Sequence, residues 1–359
     1  MRTPGGMMQG DPSLIEIIIP NLNGRALLSD CLQSLRIQTF EDFRVTVVDN
    51  GSKDGSAEMM KETFPEVNLI ALPENLGFAG GVNRGIRAAA SPLILLLNND
   101  IEMAPDCLEK LVRVVQDKSD YSSFALKMLS YHQRDTLDGA GDAVLRGGVG
   151  YRLGTMEKDT PLYDHSREVF GACAGAALYR REFFETVGLF DEDFFAYLED
   201  VDLNMRARRL GLTCYYVGNA VVFHVGSATS GSKINSFTVS QTSRNNLFVL
   251  LKNYPAGLWF RFFPAICIYQ FFWLLFVVKK MKLLSCLVGW SKALLKIPLM
   301  LAKRKTIEET ARIDQRSFAA MVTASEAEVI DSIMARRSSE GKTNGLFHLY
   351  RRLLLPGEA

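Results

Sequence analysis

The chain has 359 residues, which is enough for one large domain or two ordinary ones with a sizeable hydrophobic core. Its 41 lysines and arginines nearly balance its 40 aspartates and glutamates, and the formal net charge of +1 excludes a general electrostatic attraction to nucleic acid. The six cysteines are scattered and form no C-x-x-C pair, which favours reduced thiols and argues against a disulfide framework or a zinc site.

The first 13 residues, MRTPGGMMQGDPS, lack the apolar core of a signal peptide. We expect residues 1–13 to form a short disordered leader. We expect the domain that follows, residues 14–255, to stay in the cytoplasm.

Strand and helix patterns alternate over the first 130 residues. The strand-like segments are LIEIIIP (14–20), FRVTVVDNGS (43–52), VNLIALPEN and PLILLLNND (92–100), and the segments between them have helical periodicity. This alternation predicts an α/β fold with a doubly wound, mostly parallel sheet. Right-handed crossovers then place the polar strand ends PNLNG, DNGSKDGS and NND at one edge of the sheet, where such sheets bind ligands.

The pattern is irregular and glycine-rich from about residue 120 to residue 170, which predicts long loops or an antiparallel edge. The segment GACAGAALYRREFFETVG then predicts a strand followed by a helix. The segment LTCYYVGNAVVFHVGSAT predicts two short strands that end at His224.

Three acids stand close together in YLEDVDLN (197–204), just before an arginine-rich run. Acids at a helix start are favoured by the unpaired N–H groups and the dipole there, so Glu199, Asp200 and Asp202 have a purely structural explanation. A carboxylate in this position can also act as a general base. Asp202 lies four residues before Arg206, and this spacing predicts an ion pair along the helix.

The character of the chain changes after residue 255. Residues 262–278, FFPAICIYQFFWLLFVV, are uncharged and close to the shortest length that crosses a bilayer, and a basic amphipathic stretch follows them. We expect residues 256–305 to attach to an anionic membrane, by one short span or by interfacial helices. A buried helical hairpin that caps the first domain is the alternative, and residues 306–359 are predicted to form a charged helical tail.

Six motifs follow one another in a set order: PNLNG, VVDNGSKDGS, ENLGFAGGVNRGI, LLLNND, the segment from GACAGAA to RARRLG, and HVGSAT. Over residues 14–255 this series resembles the family-2 inverting glycosyltransferases of the nucleotide-diphospho-sugar transferase (GT-A) fold, near the bacterial rhamnosyltransferase-like branch. The resemblance implies transfer of a sugar from a dTDP- or UDP-sugar, with dTDP-rhamnose the expected donor, to a hydroxyl of a saccharide or lipid-linked glycan. It also implies a role in cell-envelope polysaccharide synthesis at the cytoplasmic face of the inner membrane.

The resemblance further implies the roles of individual residues. Asp200 would be the catalytic base, and Glu199 would bind acceptor hydroxyls or orient Asp200. Asp100 and His224 would hold Mg²⁺ or Mn²⁺, with Asn98 standing where the family's D-x-D motif has its first acid. The donor-binding positions would be Pro20, Asn21, Asn23, Asp49, Asn50, Ser52, Asn75, Gly77, Asn83, Asn99 and Arg244.

Arg244 stands at the Q-x-x-R spacing of related processive enzymes, where it could clamp the donor diphosphate. The tryptophan expected next is Asn245 instead, and a surface arginine at a helix start is the alternative interpretation.

Two other classes of protein remain open at this point. A nucleotidyltransferase would share the sheet and the acids but would carry an early glycine-rich phosphate loop, which PNLNG is not. The second is a catalytically silent, nucleotide-binding membrane scaffold. The one feature that favours it is the metal motif, in which an asparagine replaces the first acid.

Overall fold

The computed structural model describes residues 13–226 and 234–355. The predicted leader, apart from its last residue, and the final three residues of the HVGSAT motif lie outside the described residues.

The described part of the chain contains strands, helices and two short 3₁₀ helices (Pro161–Asp164 and Glu192–Phe194). The strands are β1 (Ile15–Asn21), β2 (Phe43–Asp49), β3 (Asn68–Ala71), β4 (Leu93–Leu97), β5 (Ile101–Met103), β6 (Ser123–Ser130), β7 (Leu137–Ala140), β8 (Asp142–Leu145), β9 (Val149–Arg152), β10 (Arg167–Val169), β11 (Ala176–Arg180) and β12 (Cys214–His224). The helices are α1 (Arg25–Arg36), α2 (Ser56–Thr63), α3 (Gly77–Ala88), α4 (Cys107–Asp117), α5 (Arg181–Val187), α6 (Glu199–Arg209), α7 (Ser236–Asn253), α8 (Ala256–Lys279), α9 (Leu283–Leu295), α10 (Ile297–Thr310), α11 (Gln315–Ser339) and α12 (Gly345–Leu354).

The main sheet has the strand order β10-β12-β6-β11-β4-β1-β2-β3. Strands β4, β1, β2 and β3 are parallel to one another, and β12 is parallel to β6. Strand β11 runs antiparallel between β4 and β6 and joins the two parallel groups. The sheet is therefore mostly parallel, as the alternation of strands and helices predicted.

Helices cover both faces of the sheet. Alternate residues of β1 supply the two apolar layers, because successive side chains of a strand point to opposite faces. Ile17 and Ile19 pack with α1, α2 and α4, whereas Ile18 packs with α3, α5 and α6. Burial on both faces explains why β1 and β4 are almost continuously aliphatic in sequence.

One local prediction was wrong. The segment that ends at His224 is one 11-residue strand, β12, and not two short strands. Gly218 and Asn219 resemble a turn in the sequence. In the structure they lie within the strand, where its pairing with β6 shifts register between Val217 and Val221. Gly218 is needed there because a Cβ atom would lie 2.5 Å from the carbonyl oxygen of Asp164.

The glycine-rich region is more regular than a set of long loops. It contains β6, which lies inside the sheet, β7, which pairs antiparallel with β6, and the separate hairpin β8–β9. The prediction of an antiparallel edge therefore describes part of the glycine-rich region.

The C-terminal helices pack against the first domain. Helix α11 lies against the β8–β9 hairpin: the Val144 N–H donates to Ser325 Oγ (2.8 Å), and Arg146 forms a buried ion pair with Glu326 (2.6 Å). Among the described residues, α8 is the one helix long and apolar enough to cross a membrane, and α9 with α10 meets that criterion only as a pair bent by 62°.

Candidate active site

A cavity of about 660 Å³ opens at the edge of the sheet where the parallel strands end. The ends of β1, β2, β4 and β12 border it, together with the loop before α6 and the β8–β9 hairpin. Ten of the residues predicted from the sequence line this cavity: Pro20, Asn21, Asn50, Asn75, Gly77, Asn99, Asp100, Glu199, Asp200 and His224. The structure thus brings together side chains that lie as much as 204 positions apart in the chain, as the strand-end argument expects.

One wall of the cavity is a network of asparagine side chains. Asn99 Nδ2 donates to Asn21 Oδ1 (2.7 Å), and Asn21 Nδ2 donates to Asp49 Oδ1 (3.0 Å). Asn50 Nδ2 donates to Asn75 Oδ1 (3.0 Å) and to the Gly77 carbonyl (2.9 Å). Because these amides hold one another, the wall is rigid and presents hydrogen-bonding groups in fixed positions.

Asp100 and His224 face each other across the cavity floor, with Nε2 of the imidazole 3.4 Å from Asp100 Oδ1. The second ring nitrogen, Nδ1, lies 2.7 Å from Asp138 Oδ2. Burial alone would lower the pKa of His224, but the hydrogen bonds to Asp100 and Asp138 outweigh it and raise the pKa to about 9. The same negative field favours a divalent cation at this position. The Asp100 carboxylate and the His224 imidazole are suitable ligands for such a cation, because the second nitrogen of the imidazole is held by another carboxylate.

The loop before α6 delivers Glu199 and Asp200 to the opposite wall. Phe195, Tyr197 and Leu198 all have left-handed backbone angles, with φ between 64° and 71°, which non-glycine residues rarely adopt. Such angles persist only where the surroundings hold them.

Asn245 provides much of that hold. Its amide nitrogen lies 2.9, 2.9 and 2.7 Å from the carbonyl oxygens of Phe194, Ala196 and Tyr197, and its side chain is fully buried. Arg244 adds hydrogen bonds to the carbonyls of Asp193 (3.1 Å) and Phe194 (2.7 Å).

The environments of the two α6 acids differ. Burial, and then the neighbouring Asp200 carboxylate, raise the pKa of Glu199 to about 8, and Glu199 Oε2 is buried without a hydrogen-bond partner. Burial also raises the pKa of Asp200, although the N–H groups of Val201 and Ala174 and the Arg152 guanidinium oppose the shift. Asp200 is therefore the more readily ionised acid of the pair.

Asp202 points away from the cavity, into the protein. It pairs with Arg206 (2.9 Å), which confirms the predicted ion pair, and also with Lys252 (2.8 Å).

Five predicted donor-binding residues do not line the cavity: Asn23, Asp49, Ser52, Asn83 and Arg244. Asp49 and Ser52 lie behind Asn21, where Asp49 Oδ2 accepts from the Ser52 N–H (3.1 Å). Asn23 has a left-handed backbone (φ 49°), and its N–H donates to Ser52 Oγ (2.8 Å), so these residues lock two loops together.

Asn83 and Arg244 do not line the cavity; both hydrogen-bond to the loop of residues 190–194. Asn83 Nδ2 donates to the carbonyl of Phe190 (2.9 Å) and to Glu192 Oε1 (2.9 Å). These positions differ from the donor wall expected for Asn83 and the diphosphate clamp expected for Arg244, because both side chains are already bonded to groups of this loop.

Three residues of the site were missed by the sequence analysis: Asp138, Asp142 and Arg152. Asp138 contacts both His224 and Arg152, while Asp142 and Arg152 line the cavity from the β8–β9 hairpin. All three belong to the glycine-rich segment, which has no clear periodicity. One signal could have identified two of them: the segment LDGAGDAV carries two aspartates that a glycine-rich loop does not need for its structure.

Residues 16–188 match the sequence profile described as Glycosyl transferase family 2. This segment is just under half of the chain (173 of 359 residues), and it is similar to that family. A curated relative is the N-acetylglucosaminyl-diphospho-decaprenol L-rhamnosyltransferase of Mycobacterium tuberculosis (strain H37Rv), which is 27% identical over 263 residues that cover 64% of this chain and 80% of that protein.

Two solved structures of S. aureus TarS share the fold of this chain. They superpose with TM-scores of 0.54 for a longer chain and 0.51 for residues 1–349, each at 15% sequence identity. The match covers 89% and 91% of this chain but 53% and 92% of the two TarS chains. The chain therefore spans about half the length of the longer TarS protein.

The cavity holds groups that suit a displacement reaction. It contains a carboxylate–imidazole pair suited to a cation, a carboxylate suited to taking up a proton, and a wall of amides suited to a polar ligand.

Proposed function

We propose that this protein is a glycosyltransferase that transfers a sugar from a nucleotide-diphosphate-sugar to a hydroxyl group of a lipid-linked glycan at a membrane surface, with inversion at the anomeric carbon. One observation carries the proposal: Asp100, His224 and Asp200 line the same cavity at the ends of the parallel strands. This arrangement supports the proposal, because a pair of residues suited to a cation and a residue suited to taking up a proton border the same space.

Asp100 and His224 are the residues that would hold a divalent metal ion, and Asp138 would fix the orientation of the imidazole. Mg²⁺ or Mn²⁺ suits this set because the available ligands are a carboxylate oxygen and an imidazole nitrogen. When bound, the ion would neutralise negative charge on the departing nucleoside diphosphate.

Asp200 would act as the base. Its carboxylate takes the proton of the acceptor hydroxyl while that oxygen forms a bond to the anomeric carbon. The bond from that carbon to the diphosphate oxygen breaks on the opposite face. No covalent intermediate with the protein is needed, since one displacement inverts the configuration.

The donor would lie against the wall formed by Asn21, Asn50, Asn75 and Asn99. A thymine or uracil nucleotide is the expected class, and dTDP-rhamnose is the first candidate because the M. tuberculosis relative is named as a rhamnosyltransferase. That relative's name also specifies a diphospho-decaprenol acceptor, which supports a lipid-linked acceptor here.

The outer surface of α8 and α9 supports attachment to a membrane. Residues 260, 263, 267, 271, 275 and 278 form a stripe along α8 that is exposed and mostly apolar, at helical spacing. Fourteen exposed large apolar residues lie between positions 260 and 299, near the exposed Lys279, Lys280 and Lys292. An apolar face beside lysines matches the interface of an anionic bilayer.

The inner face of α8 argues that this helix lies in the membrane surface and does not cross it. Its buried residues run from Leu258 to Val277, and Gln270 and Trp273 hydrogen-bond to side chains of α7 (2.6 and 2.9 Å). These contacts extend over about 28 Å of helix, nearly the thickness of the hydrocarbon core. A crossing would carry the polar residues of α7 into the lipid, at a cost of several kcal/mol for each unsatisfied group.

Transfer is tested with the full-length protein and a panel of dTDP- and UDP-sugars, with and without Mg²⁺ or Mn²⁺. The acceptor is a synthetic N-acetylglucosaminyl-diphospho-lipid in vesicles. We expect metal-dependent transfer that Asp200→Asn abolishes while donor binding is nearly unchanged. Turnover by the Asp200→Asn enzyme, or full activity of Asp100→Ala without metal, would contradict the assigned roles.

Membrane attachment is tested by flotation with phosphatidylglycerol vesicles and with phosphatidylcholine vesicles. The double variant Phe263→Asp/Leu275→Asp should leave the vesicle fraction. A control variant with Ile37→Asp and Met156→Asp, two exposed apolar residues outside this face, should still float. Equal flotation of both variants would rule out the proposed surface.

Orientation is tested by labelling with a membrane-impermeant maleimide. Cysteines introduced at Arg261 and Lys279, in a Cys267→Ser background, should both react from the side to which the protein was added. Protection of one end alone would indicate a span.

A further inference from the structure

Two buried carboxylate oxygens in the cavity have no hydrogen-bond partner: Asp142 Oδ1 and Glu199 Oε2. Their side chains are 8% and 6% exposed, and both residues line the cavity. A buried polar atom without a partner is costly, so native structures seldom retain one unless a ligand satisfies it.

The position of Asp142 is rigid. Its backbone N–H and carbonyl are both paired with Gly171 (2.9 and 3.1 Å), and β8–β9 pairing sets it opposite Arg152. Asp142, Cys173 and Asp200 offer side-chain atoms that lie within 4.8 Å of one another. A group that contacts Asp200 is therefore within reach of Asp142 as well.

The ligand on this side of the cavity differs in chemistry from the donor. The asparagine wall at the ends of β1 and β2 is suited to a nucleotide, whereas two neighbouring acids would repel its phosphates. Sugar hydroxyls both donate and accept hydrogen bonds, and they suit a carboxyl group in either protonation state.

A second metal ion fits this group less well. Mg²⁺ and Mn²⁺ prefer oxygen ligands, and one of the three available atoms is a thiol sulfur. Burial, followed by the Asp142 charge, raises the pKa of the Cys173 thiol well above its usual value, so the thiol stays protonated.

We propose that Asp142 is an acceptor-binding residue, which hydrogen-bonds a hydroxyl of the acceptor sugar next to the hydroxyl that Asp200 deprotonates. The proposal rests on the proposed function and adds the β8–β9 hairpin as the acceptor side of the cavity. Burial, and then the Asp200 charge, raise the pKa of Asp142 well above its usual range, whereas backbone N–H groups and Arg152 oppose the rise for Asp200, which favours Asp200 as the base.

The test compares Asp142→Ala and Asp142→Asn with the wild-type enzyme, using dTDP-rhamnose and the synthetic N-acetylglucosaminyl-diphospho-lipid. Loss of a buried hydrogen bond to the acceptor should raise the acceptor KM of Asp142→Ala by roughly 10-fold or more. The donor KM should stay within about twofold of wild type. Asparagine keeps an oxygen and a donor in place, so Asp142→Asn should recover most of the acceptor affinity.

A second measurement needs no turnover. If Asp142 Oδ1 serves to bind a ligand and does not stabilise the fold, Asp142→Ala should leave the midpoint of urea unfolding unchanged or raise it. Glu326→Ala is the matched control, because Glu326 is also buried but is bonded to Arg146 and Tyr350, and its loss should lower the midpoint.

An unchanged acceptor KM in Asp142→Ala, or a donor KM that rises as much as the acceptor KM, would overturn the proposal. A lowered unfolding midpoint would also overturn it, by showing a structural role. Failure of the wild-type enzyme to transfer with any donor would instead count against the proposed function, and the two failures are therefore distinguishable.

Discussion

Asn245→Ala removes the side chain that holds the loop in front of α6, the helix that carries the proposed base Asp200. In the wild-type structure its amide serves three carbonyls, of Phe194, Ala196 and Tyr197, at 2.7–2.9 Å. One or two buried carbonyls left without a donor would lower the free energy of unfolding by roughly 2–3 kcal/mol. The larger effect should be on catalysis, because the left-handed residues 195, 197 and 198 would relax and move Asp200.

A displacement of about 1 Å at a catalytic group costs on the order of 100-fold in rate. We therefore expect Asn245→Ala to lower kcat about 100-fold at saturating donor and acceptor, with little change in donor affinity measured by calorimetry. Urea unfolding measures the stability term separately.

The matched control for this prediction is Asn253→Ala on the same helix. Asn253 is 1% exposed and donates to Asp202 Oδ1 (2.9 Å) and to the Val249 carbonyl (3.2 Å), but no hydrogen bond joins it to the loop. It should lose similar stability with a much smaller loss of kcat. Equal losses of kcat in the two variants would refute the idea that Asn245 positions the base.

Three further variants test other parts of the site. Asp138→Asn should weaken Mn²⁺ binding roughly 10–100-fold by releasing the ring of His224, as measured by calorimetry against a wild-type control. The raised pKa of Glu199, about 8, makes the folded protein bind a proton more tightly than the unfolded chain, so wild-type stability should fall as pH rises from about 4.5 to 8. Glu199→Gln should flatten this decline in urea unfolding, and an unchanged slope would contradict the assignment. Gly77→Ala should cost activity and stability, because a Cβ atom would lie 2.4 Å from the carbonyl oxygen of Phe195 and φ is +75°; wild-type kinetics would argue against so close a contact.

The sequence was sufficient for the features that depend on periodicity and on strand ends. The aliphatic runs of β1 and β4 predicted a buried parallel sheet, and the polar residues that follow these strands predicted that Asn21, Asn50 and Asp100 would meet at one edge of it. His224 and Asp200 could be assigned to the same place because the motif order of a known family supplied what periodicity could not.

The remaining features depend on contacts between distant residues of irregular segments. Asp138 meets His224 across 86 positions, and the glycines around it give no period from which its direction could be inferred. Arg244 stands at a spacing that predicts a phosphate clamp, but carbonyls of the 193–194 segment occupy its guanidinium. In both cases tertiary packing, which no local pattern encodes, decides where the side chain points.

The contacts of Asn246 connect the proposed membrane surface to the proposed acceptor side of the cavity. Gln270, on α8, donates to Asn246 Oδ1 (2.6 Å), and Asn246 Nδ2 donates to the carbonyls of Gly147 (2.7 Å) and Gly148 (3.0 Å) at the tip of the β8–β9 hairpin. The strand before that tip carries Asp142. A lipid-linked acceptor has its lipid end fixed in the bilayer, so the distance from the bilayer to the base decides which hydroxyl can react. Since α8, α7 and the hairpin are joined by hydrogen bonds, this distance is set by the fold, and regioselectivity should depend on the mode of attachment as well as on the cavity.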